Sequence, residues 1–159
     1  MKSNTQAILV VTALVTGAFM VPPVDSFAAE NLTVRKGISF VEDKDNGFPI
    51  EGDKMDDTTV EAGKPALLFF GASADLNTAR QAKRLVNLYN KMSKKGIKFI
   101  IINVDKPANE NAKSLIKKHY KGYIPCQVVL DMSGNSTWSK VGEVSEKEVA
   151  RELEKQIKP

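Results

Sequence analysis

Apolar residues cluster at Ala66–Phe70, Ile97–Val104 and Ile124–Leu130, runs of the length of buried strands. Lys98 and Asn103 alone interrupt the second run, and Pro125 opens the third. Between them the apolar period changes to that of helices. Leu76, Ala79, Ala82, Leu85, Val86, Leu88, Tyr89 and Met92 follow Asp75 at helical spacing, and Gly96 supplies a stop. A second helix is expected from about Asn109 to Tyr120, carried by Ala112, Leu115 and Ile116. Ser133-Gly134-Asn135 reads as a hairpin turn, with Ser136 to Val141 pairing back and Trp138 on the core side. Ser145 and Glu148 form a capping box that starts a last helix through Val149, Leu153 and Ile157. The order βαβαββα predicts a mixed sheet with helices on both faces.

The start of the chain follows other rules. Residues 1–28 read as a secretory signal peptide: Lys2, an apolar stretch from Ala7 to Val21, then Pro22-Pro23 and Ser26-Phe27-Ala28. That apolar stretch is short for a bilayer span of ~20 residues, so membrane attachment is expected only if the signal is uncleaved. Residues 29–57 read as an N-terminal extension with one or two strands, drawn from Leu32, Val34, Ile38, Phe40 and Val41. Its acidic stretches, Glu42 to Gly47 and Glu51 to Asp57, read as solvated turns. Asp43, Asp45 and Gly47 lack the glycine position and closing glutamate of a calcium loop. Residues 58–159 form the remaining domain.

Composition limits the chemistry. A formal net charge of +4 gives no case for a nucleic-acid partner. With one cysteine, Cys126, and one histidine, His119, there is no internal disulfide and no Cys/His zinc site. No metal or cofactor is expected.

Three segments within residues 58–159 resemble the thioredoxin-like superfamily. They are the strand, turn and helix around Ala66–Arg80, the pair Asn103-Val104-Asp105 and Tyr123-Ile124-Pro125, and Lys140-Val141-Gly142-Glu143-Val144-Ser145. The resemblance implies a three-layer α/β/α sandwich with a mixed central sheet, and a cis-proline at Pro125 facing the active-site turn. With the leader, it implies the exported branch, periplasmic or secreted. The departures fall on the chemistry. Asp75 and Thr78 stand where the family's two cysteines would be, Ala74 and Gly71 replace aromatics, and Phe69 replaces an acidic proton acceptor. A dithiol exchange needs a low-pKa thiolate and a resolving thiol, so oxidoreductase activity of that kind is not expected.

What remains is a groove formed by Ala74, Asp75, Leu76, Asn77, Thr78, Ile124, Pro125 and Cys126, suited to a protein or an extended peptide of the cell envelope or outside the cell. Asp75 reads as a helix cap or as an acid/base. Cys126 reads either as a small core residue or as a single redox thiol, activated by Lys140 or by the helix that begins at Asp75. His119 could pair with it, or simply favour a helix C-terminus. Lys94, Lys95, Lys98, Lys113, Lys117, Lys118 and Lys121 read as a solvated basic face.

Overall fold

The computed structural model describes residues 36–42 and 47–157. The leader therefore lies outside the described residues, as do Leu32 and Val34. The elements are β1 (Ser39–Phe40), β2 (Ile50–Glu51), β3 (Ala66–Gly71), α1 (Leu76–Met92), β4 (Lys98–Asn103), α2 (Glu110–His119), β5 (Cys126–Leu130), β6 (Ser136–Val141) and α3 (Glu146–Ile157). From β3 onward this is the βαβαββα order that the sequence predicts.

The central sheet has the order β4-β3-β5-β6. β3 and β4 run parallel, while β5 is antiparallel to both β3 and β6. β3 is buried throughout, which is why its sequence is continuously apolar rather than alternating. Successive residues feed opposite faces. Leu67 and Phe69 join Val129, Leu85, Leu88, Val149 and Leu153 under α1 and α3. Ala66, Leu68 and Phe70 join Cys126, Val128, Ala112 and Leu115 under α2. Each fully buried Phe contributes roughly 1.5–3 kcal/mol of transfer free energy. Trp138 packs on the α1/α3 side, as expected.

The helix boundaries have local causes. Asp75 caps α1 by accepting the Thr78 N–H at 2.6 Å, and α1 passes through a 3-10 turn, Ser93–Lys95, before stopping at Gly96 in the left-handed region. Asn109 caps α2 by accepting the Ala112 N–H at 2.9 Å. Ser145 accepts the Glu148 N–H at 3.2 Å at the head of α3.

β1 and β2 pair antiparallel as a separate two-stranded sheet, with Phe40 opposite Ile50. Ile38 and Ile50 are buried in the α1/α3-side core, so this part of the extension shares the core of the following domain. A second tie is ionic. Lys98 lies on β4 with its side chain only 10% exposed, and it reaches Asp57 at 2.8 Å and Glu61 at 2.9 Å. Lys98 therefore does not belong to the solvated basic face that the sequence suggests. A half-buried ammonium is retained because two carboxylates meet it.

Candidate functional site

The turn after β3 and the proline loop before β5 meet at one end of the sheet. Phe70 pairs with Cys126, so one step further Pro125 lies opposite Gly71, at the head of the turn. The Ile124–Pro125 peptide bond is cis.

The turn is fastened from several directions. Gly71 accepts the Val104 N–H at 2.9 Å, and the Ser73 N–H donates to Asp105 at 3.1 Å. The Asn103 side-chain amide nitrogen donates to the Ser73 hydroxyl at 3.1 Å, and its side-chain Oδ1 accepts the Asp105 N–H at 3.1 Å. Thus Asn103-Val104-Asp105, legible in the sequence as a motif, is the bracket that holds the turn. Ala74 has φ 58°, a left-handed conformation uncommon for a residue with a Cβ. Its N–H donates to the Gly47 carbonyl at 3.4 Å.

The two positions that carry thiols in the resemblance are occupied by structural side chains. Asp75 is the α1 cap already described, one of the two roles its position in the sequence suggests. Thr78 is fully buried, and its hydroxyl accepts the Ala72 N–H at 3.3 Å. Thr78 therefore closes the turn from beneath and offers no surface to a ligand. Phe69 is likewise fully buried in the core.

Cys126 is also inaccessible, at 0% exposure. Its register partner Phe70 and its cluster place the sulfur on the α2 face, not under α1. Lys140 opposes Gln127, one residue out of phase, and pairs with Glu148 of α3 at 2.9 Å. Neither Lys140 nor the start of α1 is placed to activate this thiol, contrary to one sequence reading. Burial pushes the Cys126 thiol up, and the nearby Lys121 N–H only partly offsets it. His119 does not serve as its base: its Nε2 is buried and has no hydrogen-bond partner among the described residues. Burial and the neighbouring Lys118 hold the His119 pKa down.

The accessible part of the site is smaller than the sequence suggests. Leu76 is 73% exposed although it falls on the apolar stripe of α1. The segment around Phe40 and Pro49 lies across a groove from it. Between that segment and Ala74, Asp75, Leu76 and Ala79 lies a groove of about 330 Å³. Tyr123 is 70% exposed and Ile124 partly so, while Pro125 is buried. Gly142 donates its N–H to the Pro125 carbonyl at 2.8 Å, but among the described residues no hydrogen bond engages the Ile124 N–H or C=O. Asn77 accepts from Arg80, and Arg80 and Arg84 both reach Glu143, at 2.7 and 2.8 Å.

Behind the site lies a polar network that sequence reasoning missed. The Gln81 side-chain amide donates to Gln127 at 3.0 Å, its oxygen accepts the Val144 N–H at 2.9 Å, and Gln127 reaches the Gly142 carbonyl at 3.4 Å. Both glutamines are buried. They tie α1, β5 and the loop before α3 together immediately behind Pro125. The signal was present: Gln81 occupies the apolar stripe four residues before Leu85, and Gln127 interrupts an apolar strand.

Among the described residues, no cluster of three or more His, Cys, Asp or Glu could hold a metal ion, and no helix is long and apolar enough to cross a membrane.

Comparison with known proteins agrees with this architecture. Residues 63–131 match the family model described as thioredoxin-like. A solved structure assigned as the thiol:disulfide interchange protein DsbE of Chlorobium tepidum superposes with a TM-score of 0.52 at 15% identity, covering 64% of this chain and 84% of that one. A thioredoxin-like protein of Clostridium perfringens gives 0.50 at 18% identity, covering 64% and 82%. No curated protein matches the chain in sequence. The chain thus has a thioredoxin-like α/β fold with a mixed central sheet and three helices.

Proposed function

We propose that this protein is an exported thioredoxin-like binding module, periplasmic or secreted, that engages a protein or an extended peptide and carries out no dithiol exchange. The observation that carries the reading is an Ile124 backbone with no hydrogen-bond partner among the described residues, together with the exposed Leu76 and its groove, beside a turn in which Asp75 and Thr78 have structural roles. An extended chain recognises a free N–H and C=O by adding a strand, and neighbouring apolar surface then receives its side chains. Ala74, Asp75, Leu76, Asn77 and Ile124 form the contact surface, while Pro125, Thr78 and Cys126 shape it from behind. A single-thiol redox role gains no support, since Cys126 is buried and its thiol is pushed up. Export rests on the leader read in the sequence.

A panel of extended peptides titrated against the protein tests this reading. Saturable one-to-one binding is expected, weakened at least about tenfold by Leu76→Lys, which replaces apolar contact by a charge. Contacts that never saturate, or affinities that Leu76→Lys leaves unchanged, would overturn it.

A further inference from the structure

The basic residues of the described chain divide into two groups. Most of those around the helices have carboxylate partners: Lys91 meets Glu146, Lys95 meets Glu154, Lys113 meets Glu110 and Lys155 meets Glu152. Lys117, Lys118 and Lys121 have none among the described residues, although all three are exposed. They fall within five residues at the end of α2, and other unpaired lysines such as Lys147 and Lys54 stand apart from one another in the sequence.

The chain carries this cluster directly into the candidate site. Lys121 is three residues before Ile124, so their Cα atoms are at most about 10 Å apart. The intervening Tyr123 is 70% exposed. The end of the same loop is anchored at Pro125, which is buried and whose carbonyl accepts the Gly142 N–H at 2.8 Å. Three features of different chemistry therefore fall within eight consecutive residues, 117–124: a backbone at Ile124 with no hydrogen-bond partner among the described residues, an exposed aromatic at Tyr123, and three exposed lysines with no carboxylate partner among the described residues.

From this juxtaposition we infer that the partner is an acidic extended polypeptide segment. It pairs its backbone with Ile124, lays an apolar side chain against Tyr123 and Leu76, and sets Asp or Glu residues against Lys117, Lys118 and Lys121. The inference rests on the binding reading above and adds the partner's charge. An anionic membrane would satisfy the lysines alone, whereas the free N–H and C=O of Ile124 call for another extended backbone.

The test uses three synthetic peptides with the same central Leu-aromatic core and flanks of Glu, Gln or Lys. They are titrated against the whole protein at low and at roughly physiological salt. The Glu peptide is expected to bind at least about tenfold more tightly than the Gln peptide, the gap narrowing as salt screens it. Lys117→Gln/Lys118→Gln/Lys121→Gln should remove that preference and leave Gln-peptide binding in place. Lys147→Gln, on α3, should change nothing, and circular dichroism checks that each variant is folded. Equal binding of Glu and Gln peptides would overturn the charge assignment while leaving the binding module standing. Failure of all three peptides to bind would remove both. Binding of phosphatidylserine vesicles in place of the Glu peptide would assign the lysines to a lipid surface and overturn the inference.

Discussion

Thr78 occupies the space in front of Gly71. A Cβ added to Gly71 would lie 2.5 Å from the Thr78 methyl group, while the Thr78 hydroxyl caps the Ala72 N–H. The two residues fit together: the absent side chain at 71 is what allows a fully buried threonine at 78. Packing and one hydrogen bond thus couple positions 71 and 78.

Gly71→Ala should therefore destabilise the fold by about 1–3 kcal/mol, the usual cost of overpacking a closed site. Thr78→Ser removes the obstructing methyl and keeps the hydroxyl. The double variant should recover part of the loss, a coupling that urea unfolding of the four proteins measures. Strict additivity would show that the two side chains do not share this space.

Cys126 should be inert in the folded protein. With no exposed surface and a thiol pushed up by burial, it reacts only through opening of the structure. Alkylation of the native protein is expected to be at least about 100-fold slower than in denaturant, since an opening free energy of roughly 3 kcal/mol suffices. Cys126→Ala should cost about 1 kcal/mol and leave peptide binding intact. Rapid labelling of the native protein, with a midpoint below the ordinary thiol value of ~8.5, would restore the single-thiol reading.

Lys98 should give the protein an acid-sensitive tie between β4 and the segment before β3. A hydrogen bond from Lys98 first, then its charge, holds the Asp57 carboxyl below its usual range despite some burial. Hydrogen bonds from Lys64 and then Lys98 hold Glu61 down at about 2, against 4.5 when free. Carboxylates depressed by folding stabilise the protein above their unfolded values, and that contribution is lost as pH falls through the folded ones. For Glu61 the window runs from 4.5 down to about 2. Burial pulls the Lys98 ammonium down, but the bonds to Asp57 and Glu61 outweigh it and the net shift is upward. Its own contribution is therefore complete below 10.5 and fades only at more alkaline pH. Lys98→Met should cost about 1–2 kcal/mol at neutral pH and flatten the fall in stability below pH 4.5. Thermal melts from pH 2 to 7 on both proteins check this, and an unchanged pH slope would show that the tie contributes nothing.

From β3 onward the sequence by itself determined the elements and their order, whereas β2 at Ile50–Glu51 was not legible in it. Strand runs such as Ala66–Phe70 are continuous because both faces of a central strand are covered, and the caps Asp75, Asn109 and Ser145 act within three residues of themselves. That the sequence has one cysteine, and so no pair to form an internal disulfide, needs no coordinates at all. Local physics of this kind is written in neighbouring residues. Which face of the sheet a side chain takes, and what meets it there, was decided only by the tertiary structure. Cys126 and Pro125 adjoin in the chain, yet the cysteine enters the α2-side core and its pairing with Phe70 carries it away from α1. Leu76 continues the helical stripe but overhangs the sheet, and Lys98 looks like one more surface lysine until Asp57 and Glu61 arrive from 41 and 37 residues away. The Gln81–Gln127 bond spans 46 residues, a separation at which periodicity along the chain carries no information about contact.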